Sequence, residues 1–225
     1  AGAMDINAAC AGFSYALSVA SDSIRAGSAR NVVVIGAEKM TDFIDPHDRG
    51  MAFLFGDGAG AVVVTASDTP GIGPVVWGSE GSQAHTITQE PNYVQVQHAL
   101  ATGEALPPVA LRMAGQTVFR WAVTKMGPAA QKALDLAGVR ADELGAFVPH
   151  QANLRIVESL VKTLKLPPSV VIARDIETQG NTSSASIPLA LSALLESGQV
   201  QSGQPALFIG FGAGLTYAAQ VVEIP

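Results

Sequence analysis

Apolar positions recur along this chain in two rhythms. Phe13, Ala16, Leu17, Ala20 and Ile24 form a stripe at helical spacing, which predicts a helix over Ile6 to Ala26 entered from a short strand. Asn31 to Gly36 is a continuous β-branched run, the pattern of a central parallel strand covered on both faces. Ala59 to Thr65 predicts a second buried strand, reached through a polar loop over Lys39 to Gly50. Ser67 to Pro74 is turn-rich and marks a boundary between halves. Ser79 to Pro108 has no clear period and reads as a long surface excursion. Leu111 to Met126 predicts an amphipathic helix, broken at Gly127-Pro128 and followed by a second helix to Ala137-Gly138. Phe147-Val148 is a short strand ending at Pro149-His150, Asn153 to Leu164 a helix, Val170 to Ala173 a strand, Ser184 to Glu196 a helix and Ala206 to Gly210 a strand. Alternating strands and helices give an α/β protein with a parallel or mixed sheet between helical layers.

The chain also repeats itself. Cys10 and Asn181 each open an apolar helix, and the helices end at Gly27 and Gly198. The same offset of 171 residues separates both pairs. A hydrophobic strand and a glycine-rich strand entry follow each helix, Phe55-Gly-Asp-Gly-Ala-Gly60 in one half and Gly210-Phe-Gly-Ala-Gly214 in the other. Two helix N-termini are therefore equivalent. The halves fall at about residues 1–70 and 71–225, and the first is too short for its partner. The counterpart of the His150 strand would lie before Ala1, so a missing or separately supplied N-terminal segment is expected.

Composition narrows the class. With 225 residues, 48% of them hydrophobic and only 14% charged, the chain suits sheets buried on both faces. Its apolar runs are strand-length, so no membrane span is expected. A single cysteine excludes an internal disulfide and a cysteine-based metal site, and fits a reducing cytoplasm. The net charge of −6 argues against general nucleic-acid binding, yet leaves room for a local basic patch.

Three residues could carry chemistry. Cys10 has small neighbours in Asn7-Ala-Ala-Cys-Ala-Gly-Phe13, and a helix N-terminus there would lower the thiol pKa. The plainer alternative is a buried structural cysteine. His150 stands at a strand end before a helix, where α/β proteins place catalytic groups, or else it caps that helix. Asn181 is either a simple N-cap or a polar group aimed at the same point. Gly212-Ala213-Gly214 is either a plain turn or a backbone donor for an oxyanion. His47, His85 and His98 read as solvated, and no spacing suggests metal ligands.

Taken together, Asn7–Phe13, Asp48-Arg-Gly50, Phe55–Gly60, Val148-Pro-His-Gln-Ala-Asn153, Gly180-Asn-Thr-Ser183 and Gly210–Gly214 run in order over nearly the whole chain. The set resembles the thiolase superfamily, and within it the β-ketoacyl-acyl carrier protein synthase III family. The resemblance implies a thiolase-like duplicated α/β fold in layers helix–sheet–helix–sheet–helix, its first half incomplete here, usually in a homodimer. It implies a Cys10–His150–Asn181 triad with the N–H groups of Cys10 and Ala213 as oxyanion hole. It further implies Arg49 at the nucleotide of CoA, Met113, Gly115, Asn153 and Phe211 along a pantetheine tunnel, and Leu54, Phe55 and Leu111 near the acyl end. Arg155 would dock an acidic carrier protein. The implied substrates are acyl-CoA and malonyl-acyl carrier protein, with no cofactor beyond the CoA thioester. The implied reaction begins type II fatty acid synthesis. A starter-unit synthase or acyltransferase of natural-product biosynthesis, or a non-catalytic acyl-thioester binding module, is the alternative.

Overall fold

The computed structural model describes residues 1–225. A 3-10 turn, Ala9–Ala11, leads into helix α1 (Gly12–Arg25). Strands β1 (Asn31–Glu38) and β2 (Gly58–Thr65) then pair antiparallel along their full length, Asn31 opposite Thr65 and Glu38 opposite Gly58. This corrects the expected central parallel strand. The link between them holds only a 3-10 turn at Met40–Asp42, and without a crossover helix the chain returns antiparallel. Within residues 1–225 the pair is covered on one face. Val34 is buried, whereas Val33, Ile35 and Val63 are exposed.

The supposed excursion is structured. After β3 (Val76–Ser79), β4 (Ile87–Glu90) pairs antiparallel with β5 (Ala110–Met113), so Leu111 to Met113 lie in a strand rather than a helix. Between them runs α2 (Tyr93–Thr102). Asn92 accepts from the Gln95 N–H at 3.0 Å while Gln95 Oε1 accepts from the Asn92 N–H at 2.8 Å, a reciprocal cap, and Gly103 ends the helix at φ 75°.

Helix α3 (Gly115–Ala137) passes through Pro128 unbroken, another departure from expectation. A proline inside a helix costs about 3 kcal/mol. Met126, Ala129, Ala130, Ala133 and Leu134 are buried on this helix, and that burial offsets the cost. Gly127 helps in two ways. It removes the Cβ that would crowd the proline, and a Cβ there would stand 2.5 Å from Thr163 Cγ2, on the helix packed alongside.

The rest follows the expected alternation: β6 (Ala146–Pro149), α4 (Leu154–Thr163), β7 (Val171–Ile172), the short α5 (Ile176–Gln179), α6 (Ser186–Glu196), β8 (Pro205–Gly212) and β9 (Thr216–Glu223). The larger sheet has the order β3-β9-β8-β6-β7, with β6 parallel to β7 and β8, and β9 antiparallel to β8 and β3. One face packs on α3 and α4 through Met126, Leu134, Phe147, Leu160, Leu207 and Ile209. The other packs on α1 and α6 through Phe13, Leu17, Ile187, Leu191 and Phe208. The β1–β2 sheet lies on the far side of α1 and α6. Four layers of the expected five are therefore present, helix–sheet–helix–sheet, and α1 and α6 form the middle one. Their N-termini carry the two equivalent residues, Cys10 and Asn181, to the same end of that layer.

Candidate active site

Cys10 sits in the 3-10 turn ahead of α1, entered through Ala9 at φ 46°. The residue is half-buried, at the wall of a cavity. Gly212 of β8 lies against it so closely that a Cβ there would meet Cys10 Cβ at 2.7 Å and Sγ at 3.0 Å. On another side the Ser183 hydroxyl donates to Sγ at 3.4 Å. Burial pushes the thiol up to about 11; the Ser183 hydrogen bond opposes this, and the Glu38 carboxylate adds to it. Desolvation of the charged form therefore works against the thiolate that the helix terminus favours. A Gly212→Ala substitution should cost about 1–3 kcal/mol of stability through overpacking and prevent modification of Cys10. Thermal melting and intact mass after exposure to acyl-CoA check this; a variant with wild-type melting that is also acylated would refute it.

His150 follows β6, pinned by its N–H to the Ile209 carbonyl at 2.8 Å. The side chain is 2% exposed, with its ring edge-on to Phe211 at 5.2 Å between centroids. Nδ1 is 2.7 Å from Ser186 Oγ. Burial lowers its pKa to about 3, so the imidazole is neutral at physiological pH. Gln151, which the sequence did not single out, clamps the loop. Its Nε2 donates to the carbonyls of Pro149 and Ala173, and its Oε1 accepts from the Ile176 N–H.

Asn181 is buried and held on three sides. Its N–H donates to the Leu54 carbonyl at 2.8 Å, its carbonyl accepts from the Gly56 N–H at 3.0 Å, and Oδ1 accepts from the Ser183 N–H at 2.9 Å. That leaves the amide NH2 as the free end of the side chain. The Oδ1 contact is the capping bond the sequence suggested, and the NH2 end is not part of it.

All three residues line one cavity of about 1960 Å³, which continues along the uncovered face of β1 past Val33 and Ile35. Leu54, Phe55, Leu111, Met113, Gly115, Asn153, Arg155, Phe211 and Ala213 line it too. Arg49 does not: it is exposed, outside the lining. The Ala213 N–H makes no hydrogen bond within the chain, so it is available to an oxyanion beside Cys10. Sequence reasoning missed the supporting polar residues, Glu38, Gln151, Ser183, Ser184 and Ser186. Glu38 accepts from the Ser184 hydroxyl at 2.6 Å and from its N–H at 3.3 Å, tying β1 to the turn before α6. The repeated serines after Asn181 were the available signal. No group of three His, Cys, Asp or Glu side chains is placed to hold a metal ion.

A thiolase-like fold whose two halves bring a cysteine, a histidine and an asparagine to one cavity defines the class. Comparison with known proteins narrows it. The family description 3-oxoacyl-[acyl-carrier-protein] synthase III matches residues 4–81, and that of the C-terminal part of the same family matches residues 134–224. The chain belongs to the β-ketoacyl-acyl carrier protein synthase III family. It is 56% identical over 225 residues to a β-ketoacyl-[acyl-carrier-protein] synthase III of Streptomyces glaucescens, covering 100% of this chain and 66% of the relative. With the mycobacterial enzyme of the same name from Mycobacterium avium it shares 52% identity, over 99% of this chain and 65% of the relative. Among solved structures, the priming β-ketosynthase of the R1128 polyketide biosynthetic pathway superposes with a TM-score of 0.93 at 52% identity, covering 100% of this chain and 66% of that one. The 3-oxoacyl-[acyl-carrier-protein] synthase III of Aquifex aeolicus gives 0.85 at 38%, covering 99% and 67%. The chain thus spans about two thirds of the length of the relatives it matches. No helix is long and apolar enough to cross a membrane.

Proposed function

We propose that this chain carries the reacting residues of a condensing enzyme that primes acyl-chain synthesis. Cys10 gives its thiol proton to water, the thiolate attacks the carbonyl of an acyl-CoA, and CoA leaves as a thiolate that takes a proton back from water, giving an acyl-cysteine thioester. Malonyl-acyl carrier protein then enters. Its carboxylate leaves as carbon dioxide, and the electron pair of the broken bond passes to an enolate on the remaining thioester. His150 Nε2–H and the Asn181 amide donate to that enolate oxygen. The carbanion attacks the acyl-cysteine, breaks the C–S bond and returns Cys10, and the product is a 3-ketoacyl-acyl carrier protein. The N–H groups of Cys10 and Ala213 receive the oxyanion of each tetrahedral intermediate.

The observation that carries this reading is the joint lining of one cavity by Cys10, His150 and Asn181, with a neutral histidine and an asparagine whose amide end is free. Neutral donors suit an enolate that forms and collapses. In this scheme residues 1–70 supply the nucleophile half and residues 71–225 the decarboxylating half. Incubation with acyl-CoA and malonyl-acyl carrier protein, with the 3-keto product and carbon dioxide measured together, tests it. Tight binding of acyl-CoA without a Cys10 adduct would instead support a binding module.

A second reading, a starter-unit synthase for a polyketide, is supported by the 52% identity to the R1128 priming ketosynthase. Profiling acyl-CoA chain length and the two pathways' carrier proteins separates the two.

Docking of the acidic carrier protein falls to Arg155. It is exposed at the start of α4, lines the cavity and forms no ion pair, and Lys162 and Lys165 follow near the end of that helix. Arg155→Glu should raise KM for malonyl-acyl carrier protein, by less at high salt, while acylation by acyl-CoA is unchanged. Equal KM values at both ionic strengths would remove Arg155 from docking. The enzyme is expected to act as a homodimer in the cytoplasm.

A further inference from the structure

His150 can present a donor to the cavity only in one of its two neutral forms, and the residue that selects the form is not among the three reacting side chains. Ser186, the first residue of α6, is 1% exposed. Its Oγ has two neighbours within hydrogen-bond distance, His150 Nδ1 at 2.7 Å and the Gln151 N–H at 3.2 Å. The backbone N–H can only donate, so it occupies the oxygen as an acceptor. The hydroxyl hydrogen then has one place to go, the lone pair of Nδ1. If Nδ1 carried the proton instead, Ser186 would receive two donors and its own hydrogen would be buried without an acceptor, a costly arrangement. The ring proton is thereby forced to Nε2.

We propose that Ser186 is a positioning residue that holds His150 as the Nε2–H tautomer, making the imidazole a hydrogen-bond donor toward the cavity. The edge-on Phe211 ring fixes the plane, and Ser186 fixes the tautomer. The low pKa of His150 fits, since an imidazole that stays neutral has a tautomer to select. A serine in this place links the two donors of the site, because α6 begins five residues after Asn181. The segment that carries the asparagine donor therefore also sets the histidine donor.

The functional consequence rests on the decarboxylating role proposed above, so the test has two arms. In the first, 15N-histidine-labelled protein is examined by long-range 1H–15N correlation, with His150→Asn used to assign the His150 signals. Wild type should show Nε2 protonated and Nδ1 unprotonated. Ser186→Ala should lose that pattern, and Ser186→Thr, which keeps the hydroxyl, should restore it. In the second arm, Ser186→Ala should slow malonyl-thioester decarboxylation roughly 10–100-fold, the range for removing a partner that orients a functional histidine, while Cys10 acylation stays at the wild-type rate. If Ser186→Ala does not fold, Ser186→Cys, a near-isostere with a weak donor, should shift the tautomer signals in the same direction. A wild-type Nδ1–H pattern, or an unchanged pattern in the Ala or Cys variant, overturns the inference. If wild type shows the Nε2–H pattern yet decarboxylates nothing, the positioning role stands and the proposed function falls.

Discussion

Replacing Cys10 by alanine should abolish the acyl adduct and lower condensation by on the order of 10⁶-fold, the scale seen when a covalent nucleophile is removed elsewhere. The residue is the chain's only cysteine, so no neighbouring thiol can substitute. Peptide mass mapping after acyl-CoA treatment locates the adduct, and an acyl group on any other side chain would dismiss Cys10. The pH dependence of the same step follows from the thiol's surroundings. With the pKa raised to about 11, the thiolate fraction is small at neutral pH and grows about tenfold per unit. The acylation rate should therefore climb steadily from pH 7 to 10. A flat profile over that range would mean that bound substrate or the helix terminus overcomes the desolvation.

The second large effect separates the half-reactions. His150→Ala and Asn181→Ala should each lower malonyl decarboxylation by roughly 10²–10³, the cost of one lost oxyanion donor, while leaving Cys10 acylation largely intact. The division follows from the contacts. Sγ receives its hydrogen bond from Ser183, and Nδ1 of His150 is engaged by Ser186, so nothing ties the imidazole to the thiol as its base. Carbon dioxide release and adduct formation, measured on the same preparations, decide the matter. Variants that fail to acylate as completely as Cys10→Ala would show that the histidine or the amide also activates the sulfur.

The three residues that share the cavity were legible in the sequence because the duplication aligned Cys10 with Asn181, and because His150 followed a short strand. Both signals can be read from the linear order of residues. What escaped was non-local or misweighted. β1 has the composition of a strand covered on both faces, and its antiparallel pairing with β2, which the sequence did not suggest, depends on a partner some thirty residues further along the chain. Pro128 predicts a break when propensity is weighed alone, yet the buried face of α3 outweighs it. The cap of α2 was present in the letters, Asn92 and Gln95 three apart and Gly103 at the end, but the polar stretch around it drew the eye to a loop. The sequence also suggested a low thiol pKa from the helix terminus. Burial, which no linear pattern reports, pushes the thiol the other way. Ser183, Ser184 and Ser186 look like a helix start, and only the fold reveals that each touches a different partner: the sulfur, Glu38 and the imidazole.

The tight seat of Cys10 between Gly212 and Ser183 also bears on covalent inhibition. General alkylating reagents react with the thiolate, and desolvation disfavours that form here, so small untargeted reagents should modify Cys10 slowly at neutral pH. An electrophile that first fills the apolar cavity meets the same sulfur at high effective concentration. Selectivity at this position would then come from the shape of the recognition portion, and a weak warhead would be an advantage.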